Sequence, residues 1–175
     1  SNALPMIVNP TRGSGISISV TPDSVICQHS EVLIYSSFQI GGTNPTLQWM
    51  RNGVDIPGEV GGKLRISTLN HNDVISCKFF STAVCVFPDT SNEIKFDVTP
   101  EVVPSVNVQV SYSGGNTYTF TATPSNGGAN PAYQWFKNFT AINGATNSSY
   151  TADDLVNSDV IHVEMSSSAD CPKPS

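Results

Sequence analysis

The side chains able to do chemistry are few and scattered. Histidines stand at 29, 71 and 162, cysteines at 27, 77, 85 and 171, and an acidic group at Asp153, Asp154 and Asp159. A hydrolytic triad needs a serine presented on a strained turn beside a histidine, and no serine lies in such a signature. His29 reads as a turn residue, His71 as preceding a strand, and His162 as lying on a strand's polar face. No two cysteines are spaced Cys-x-x-Cys, and the histidines are not placed to complete a zinc site with them. Ca²⁺ wants six or more oxygens around one point, which the acidic group could begin to supply. A polar turn with Asp159 accepting from backbone N–H groups is the simpler reading. No catalytic residue, metal or cofactor is expected. Asn138-Phe-Thr140 and Asn147-Ser-Ser149 match the N-glycosylation acceptor pattern. In this chain that pattern arises readily by chance.

Composition says what must hold these residues. The chain has 175 residues, and Ser (23), Thr (15) and Asn (15) together make 53 of them. Eighteen Val, thirteen Gly and twelve Pro accompany them, the usage of strands joined by tight turns. Helical bundles and coiled coils want Ala, Glu, Lys and Leu instead. The formal charge of −6 and the absence of any Lys/Arg cluster exclude a nucleic-acid partner, because phosphate binding needs cations to displace counterions. An anionic membrane surface is disfavoured for the same reason. No apolar run approaches the roughly 20 residues of a membrane-spanning helix, so no membrane insertion is expected. Ser1-Asn2-Ala3 resembles the scar of tag cleavage.

An internal repeat is the strongest signal. Gly41-Gly-Thr-Asn-Pro-Thr-Leu-Gln-Trp49-Met-Arg-Asn52 aligns with Gly127-Gly-Ala-Asn-Pro-Ala-Tyr-Gln-Trp135-Phe-Lys-Asn138 at an offset of 86 (135 − 49). The offset holds through Leu69/Leu155, Asp73-Val-Ile75/Asp159-Val-Ile161 and Cys85/Cys171, giving 16 identities over the 45 positions 41–85. The acidic pair Asp153-Asp154 corresponds to Ser67-Thr68, so a metal site there would not be shared. Three segments follow: residues 1–10, a tag scar plus the tail of a preceding repeat; residues 11–100, a first repeat; and residues 101–175, a truncated second repeat. Repeat one ends in Asn92-Glu-Ile-Lys-Phe-Asp-Val98-Thr-Pro100, an alternating closing strand, which repeat two lacks. Met6-Ile-Val8-Asn-Pro10 resembles that strand, so the chain reads as a window from a longer array.

Within each unit, short alternating runs are punctuated by turn signals about every 8–12 residues. Trp49 and Trp135 face inward on the third strand, Asn52-Gly53 is a type I′ hairpin dipeptide, and Leu69, Leu155, Ile75 and Ile161 complete the expected core. On the sixth strand Ile75, Cys77 and Phe79 share a face, which marks Cys77 as an inert core thiol. The pattern predicts an all-β chain of two tandem Ig-like β-sandwich repeats, the second without its closing strand. The inter-sheet disulfide of antibody domains does not fit, because Val32 and Ile34 stand where its first cysteine would be.

Residues 126–135, Leu155-Val-Asn-Ser-Asp-Val-Ile161 and Ser166-Ser-Ser-Ala-Asp-Cys171 resemble the Ig/PKD-like repeats of very large exported proteins of gliding and surface-colonising Bacteroidetes. Ile26-Cys27-Gln-His-Ser30 matches that family before the second strand, whereas Tyr112-Ser113-Gly-Gly-Asn116 departs from it. The resemblance implies a secreted or cell-surface bacterial location and use as a stalk, spacer or adhesin. Two disulfide schemes stay open, Cys27–Cys171 and Cys27–Cys85, with Cys77 a thiol in both. Met50 and Phe136 alternate with the tryptophans and so face outward; with Phe139, which replaces hairpin Gly53, they could form an apolar ligand patch. Tyr150 could extend it. That patch is what an alternative reading would use, a carbohydrate-binding accessory module of a polysaccharide-degrading enzyme. The partners expected are neighbouring repeats of the same chain, a surface glycan or protein on the patch, and a second copy donating residues 4–10 to the open edge of the sixth strand of repeat two.

Overall fold

A computed structural model describes residues 12–173, and the chain divides into two compact units, through Thr99 and from Pro100. The N-terminal segment likened to a closing strand lies outside the described residues. Among those described there is no helix.

In the first unit, β1 (Ser17–Thr21), β3 (Val32–Ser37) and β6 (Lys63–Ile66) form one antiparallel sheet in the order β1-β3-β6. The facing sheet runs β5 (Val54–Asp55), β4 (Thr46–Arg51), β7 (Val74–Phe80), β8 (Asp89–Thr90), with β9 (Ile94–Lys95) also on β7. β10 (Asp97–Thr99) pairs in parallel with β2 (Val25–Cys27). The expected single closing strand is thus three short pieces, β8, β9 and β10. Both sheets feed one core, in which Ile34, Leu64, Trp49, Ile75, Cys77, Phe79 and Phe96 are sealed from solvent. That two-layer arrangement, with alternating residues pointing inward from each sheet, makes an Ig-like sandwich.

The second unit repeats the plan with fewer parts. β11 (Ser105–Gly114), β12 (Thr117–Ser125) and β15 (Ser149–Ala152) form one sheet; β13 (Ala132–Lys137), β14 (Thr140–Ala141) and β16 (Ile161–Ser166) form the other, in the order β14-β13-β16. Val110 lies opposite Phe120 as Val20 lies opposite Ile34. The first-strand offset is therefore 110 − 20 = 90, while the second-strand offset stays 120 − 34 = 86. Four residues are missing between them. The loss falls on the piece of unit one that forms β2 and carries Cys27; a tight turn at Gly114-Gly115 replaces it. This explains the departure at residues 112–116: the strand that would bear the cysteine is absent.

Unit two therefore has, among the described residues, no counterpart of β2 or of β8–β10. Trp135, Ala122 and Ala152 are buried, but Leu155 and Ile161, expected in the core, are only half-buried, whereas Leu69 and Ile75 are buried. In unit one Ile75 has Ile94 of β9 as its partner, and no counterpart of β9 is among the described residues of unit two.

Candidate functional site

The residues repeated at the offset of 86 do structural work, and the hydrogen bonds are duplicated with them. Gln48 Nε2 donates to the carbonyls of Trp49 (2.9 Å) and Ile56 (2.8 Å), and Gln134 Nε2 to those of Trp135 and Ile142 (both 2.8 Å). The indole N–H of Trp49 donates to Gly61 O (2.8 Å) and that of Trp135 to Asn147 O (2.9 Å), so each buried ring keeps its polar atom satisfied. Gly42 and Gly128 have φ of 74° and 78°, and a Cβ on either would collide with the backbone of Ala83 or Ala169.

Asp73 and Asp159 anchor a matching lock. Asp73 accepts from Arg51, from Asn52 Nδ2 (2.7 Å) and from the Asn70 N–H (2.6 Å). Asp159 accepts from Asn138 Nδ2 (2.8 Å), the Val156 N–H (2.9 Å) and Lys137 (3.2 Å). The amide oxygens of Asn52 and Asn138 accept from the N–H groups of Val74 and Val160, each at 2.9 Å. Burial pushes the Asp73 carboxyl up, but the hydrogen bonds from Arg51, Asn70 and Asn52 outweigh it and hold it below the usual carboxylate range. Asp159 is likewise held low, first by the Val156 N–H and then by Asn138. Between Asp154 and Asp159 stands the ammonium of Lys137, 3.1 Å from one and 3.2 Å from the other. A cation already occupies the ground a Ca²⁺ would need, and among the described residues no three His, Cys, Asp or Glu side chains cluster as metal ligands.

The cysteines separate cleanly. Cys27 and Cys171 are both disulfide-bonded; Cys77 and Cys85 are free thiols. The Cys27–Cys85 alternative is thereby corrected: Cys85 is an exposed thiol. Burial pushes the Cys77 thiol up to about 11, so at neutral pH it stays protonated and unreactive.

The outer face expected to carry a ligand patch differs between the units. Met50 is only 5% exposed, so it contributes no surface; it lies on a central strand between Asp55 and Ser76, and Ser76 is itself buried. In unit two the same face carries aromatic rings. Phe136 is half-buried and stacks on His162 with centroids 4.7 Å apart and planes 5° from parallel, and Phe139 leans on the same imidazole at 5.4 Å. His162 Nδ1 is shielded from solvent and has no hydrogen-bond partner. Phe139 is 80% exposed and sits at φ 64°, the left-handed conformation that Gly53 takes at φ 77° in unit one. A bulky residue is an outlier there. Tyr150 does not extend this patch, because it turns inward against Phe120 (6.3 Å) and Trp135 (6.0 Å). His162 is the member that sequence reasoning left on a polar face; its place opposite Phe136 follows from the β13–β16 register. His71 pairs with Asp97 at 3.0 Å on the surface.

No protein-family model matches the chain, and no curated protein matches it. Solved structures similar to it include the mouse nectin-like molecule 4 ectodomain (Ig1–Ig3), at 13% identity and TM-score 0.39, covering 93% of this chain and 66% of that one. A multi-domain fragment of titin is similar at 12% identity and TM-score 0.46, covering 91% and 64%. The amphioxus IgVJ-C2 molecule is similar at 10% identity and TM-score 0.37, covering 83% and 99%. The chain thus spans just under two thirds of the first two structures' length. The Ig-like assignment rests on the strand order and register described above.

Proposed function

We propose that the chain is a non-catalytic pair of Ig-like repeats from a secreted or cell-surface protein, used as a stalk or spacer or as an adhesive segment. The observation that carries this reading is the use made of the repeated polar residues. Gln48/Gln134, Asn52/Asn138 and Asp73/Asp159 all spend their hydrogen bonds on locking strand to strand, and none converges with a nucleophile. Stacked repeats of one locked unit suit a load-bearing or spacing role. The oxidised state of Cys27 and Cys171 supports an exported location. The bacterial source implied by the family resemblance belongs to the same proposal. Pulling the chain by its ends in a force spectrometer, after reducing the disulfide so that the load passes through both units, tests the stalk reading: the expected record is two separate high-force unfolding events, and smooth extension at low force would overturn it.

A second reading, a carbohydrate-binding accessory module, is favoured by one feature. Phe139 holds an unfavourable backbone conformation while exposed, beside the Phe136–His162 stack, and strained exposed residues concentrate at binding sites. Glycan-array binding lost in F139G would support it. Equal array profiles for both proteins would remove it.

A further inference from the structure

The loop that carries Cys171 in unit two has a double in unit one. Residues 81–86 and 167–172 correspond at the offset of 86, and their hydrogen bonds correspond with them. The Ala83 N–H donates to Ser81 Oγ (3.0 Å), and the Ala169 N–H to Ser167 Oγ (3.1 Å). The Thr82 N–H donates to Gly41 O (3.2 Å), and the Ser168 N–H to Gly127 O (2.9 Å). The hydroxyls of Thr82 and Ser168 accept from the N–H groups of Asn44 (3.2 Å) and Asn130 (2.8 Å). Both cysteines take the left-handed conformation, Cys85 at φ 62° and Cys171 at φ 56°. Each cysteine carbonyl accepts at 3.1 Å from the segment before its own unit's first strand, Cys85 from the Arg12 N–H and Cys171 from the Val102 N–H. Arg12 and Val102 are themselves related by the first-strand offset of 90.

The two cysteines thus stand on the same scaffold, yet Cys171 is disulfide-bonded and Cys85 is an exposed thiol. The oxidation of Cys171 shows independently that this loop position serves a cross-link. The chain's other oxidised cysteine is Cys27, at the end of β2. Unit one therefore carries one cysteine of each kind, a loop cysteine and a β2 cysteine, and they sit at its opposite ends. Cys27 lies beside Thr99, beyond the end of β7 where Ile75 meets Ile94, whereas Cys85 follows the other end at Phe80. The seven residues of β7 rise about 3.3 Å each, about 20 Å in all. A disulfide needs Cα atoms within about 7 Å. Unit one cannot serve its own Cys85, and no counterpart of β2 is among the described residues of unit two. Val84 and Phe87 flank the thiol and are 85% and 64% exposed, where unit two has Asp170 and Lys173. Apolar side chains left in water around a free thiol are a surface that a partner covers.

We propose that Cys85 is the receiving half of a disulfide between repeats, and that its partner is a cysteine placed like Cys27 on another Ig-like unit. The bond forms by exchange. The Cys85 thiolate attacks a small-molecule disulfide and releases one thiol; the partner's thiolate then attacks the mixed disulfide at the Cys85 sulfur and releases the second. Two protein thiols are oxidised and one disulfide is reduced to two thiols, so the electrons balance. Unit one has its two half-sites at opposite ends, so the contact is heterologous and orders repeats in series. This inference rests on the stacked-repeat reading and names the partner of the unit-one loop.

The test mixes the full chain, whose Cys27 is already oxidised, with C85S/C171S, which offers Cys27 alone beside buried Cys77. Oxidised and reduced glutathione supply the exchange, and the full chain is isotopically labelled so that each cysteine's copy of origin is read from the peptide map. The expected product is a one-to-one pair in which Cys27 of the variant is joined to Cys85 of the full chain. Its ratio to the Cys85–Cys85 pair should be about tenfold higher in native buffer than in urea, where pairing is random. C85S with its disulfide reduced is a second donor that keeps the native residue at 171, so a folding fault of the double variant does not decide the result. Equal ratios in native buffer and urea, a dominant Cys85–Cys85 pair, or Cys85 left as a glutathione adduct would each overturn the proposal. None of these outcomes alters the force record, so the stalk reading stands or falls by its own test.

Discussion

Truncating Trp135 to alanine is the sharpest test of how unit two is held together. The indole is fully buried, its rings lie 6.1 Å from Phe120 and 6.0 Å from Tyr150, and its N–H is tied to Asn147 O at 2.9 Å. Removing a large buried aromatic forfeits its transfer energy and leaves a cavity that neighbours only partly refill, about 3–5 kcal/mol in all. A small domain has about 5–15 kcal/mol of stability. Unit two belongs near the lower end, because Ile161 and Leu155 are half-buried where Ile75 and Leu69 are sealed. W135A should therefore leave unit two largely unfolded at 37 °C. The chain has two tryptophans, one per unit, so in W135A the remaining fluorescence reports unit one alone. Urea unfolding followed by near-ultraviolet circular dichroism and by Trp49 fluorescence separates the two. The expected outcome is loss of the unit-two dichroism transition with the Trp49 transition retained. An unshifted unit-two midpoint would refute the claim that this ring holds its two sheets together.

Four further outcomes follow from the same geometry. Asp73 is held below its ordinary value in the fold, so its stabilising contribution is complete above the unfolded value of 3.8 and is lost as pH falls through the lower folded value. Unit one should therefore weaken as pH falls below 3.8, and D73N, which costs about 1–3 kcal/mol at neutral pH, should flatten the acid limb of a urea-midpoint profile. F139G relieves a left-handed backbone penalty of about 1–2 kcal/mol and gives up little burial, so its melting temperature should not fall; a drop of several degrees would show the ring to be structural. A thiol reagent should label Cys85 alone in the native chain and Cys77 as well after unfolding, read by mass spectrometry of the labelled peptides. C77V should be tolerated within about 1.5 kcal/mol, because Val163 fills the same place in unit two, and a larger loss in urea unfolding would contradict the equivalence.

The amino-acid sequence by itself determined the two-unit plan and the residues that lock it. Trp, Gln, Asn and Asp recur at one offset because each satisfies a local demand: an inward ring, a bridged carbonyl, a left-handed hairpin position, a capped turn. Such demands involve residues near in sequence or on adjacent strands, so periodicity and turn chemistry reveal them. The replacement of Gly53 by Phe139 was legible in the same way, but that Phe139 holds the left-handed conformation, at φ 64°, is given by the backbone alone. Cover was not legible. Whether Met50 or Phe139 meets solvent, whether Ile161 is sealed, and whether Cys85 finds a partner all depend on strands distant along the chain. Alternation assigns a side chain to a face but does not say what lies over that face. The four-residue loss that removes the counterpart of β2 is a change of offset from 86 to 90, and it becomes visible only when strand pairing sets Val110 opposite Phe120. Burial is a property of the assembled layers, which alternation along a single strand does not report.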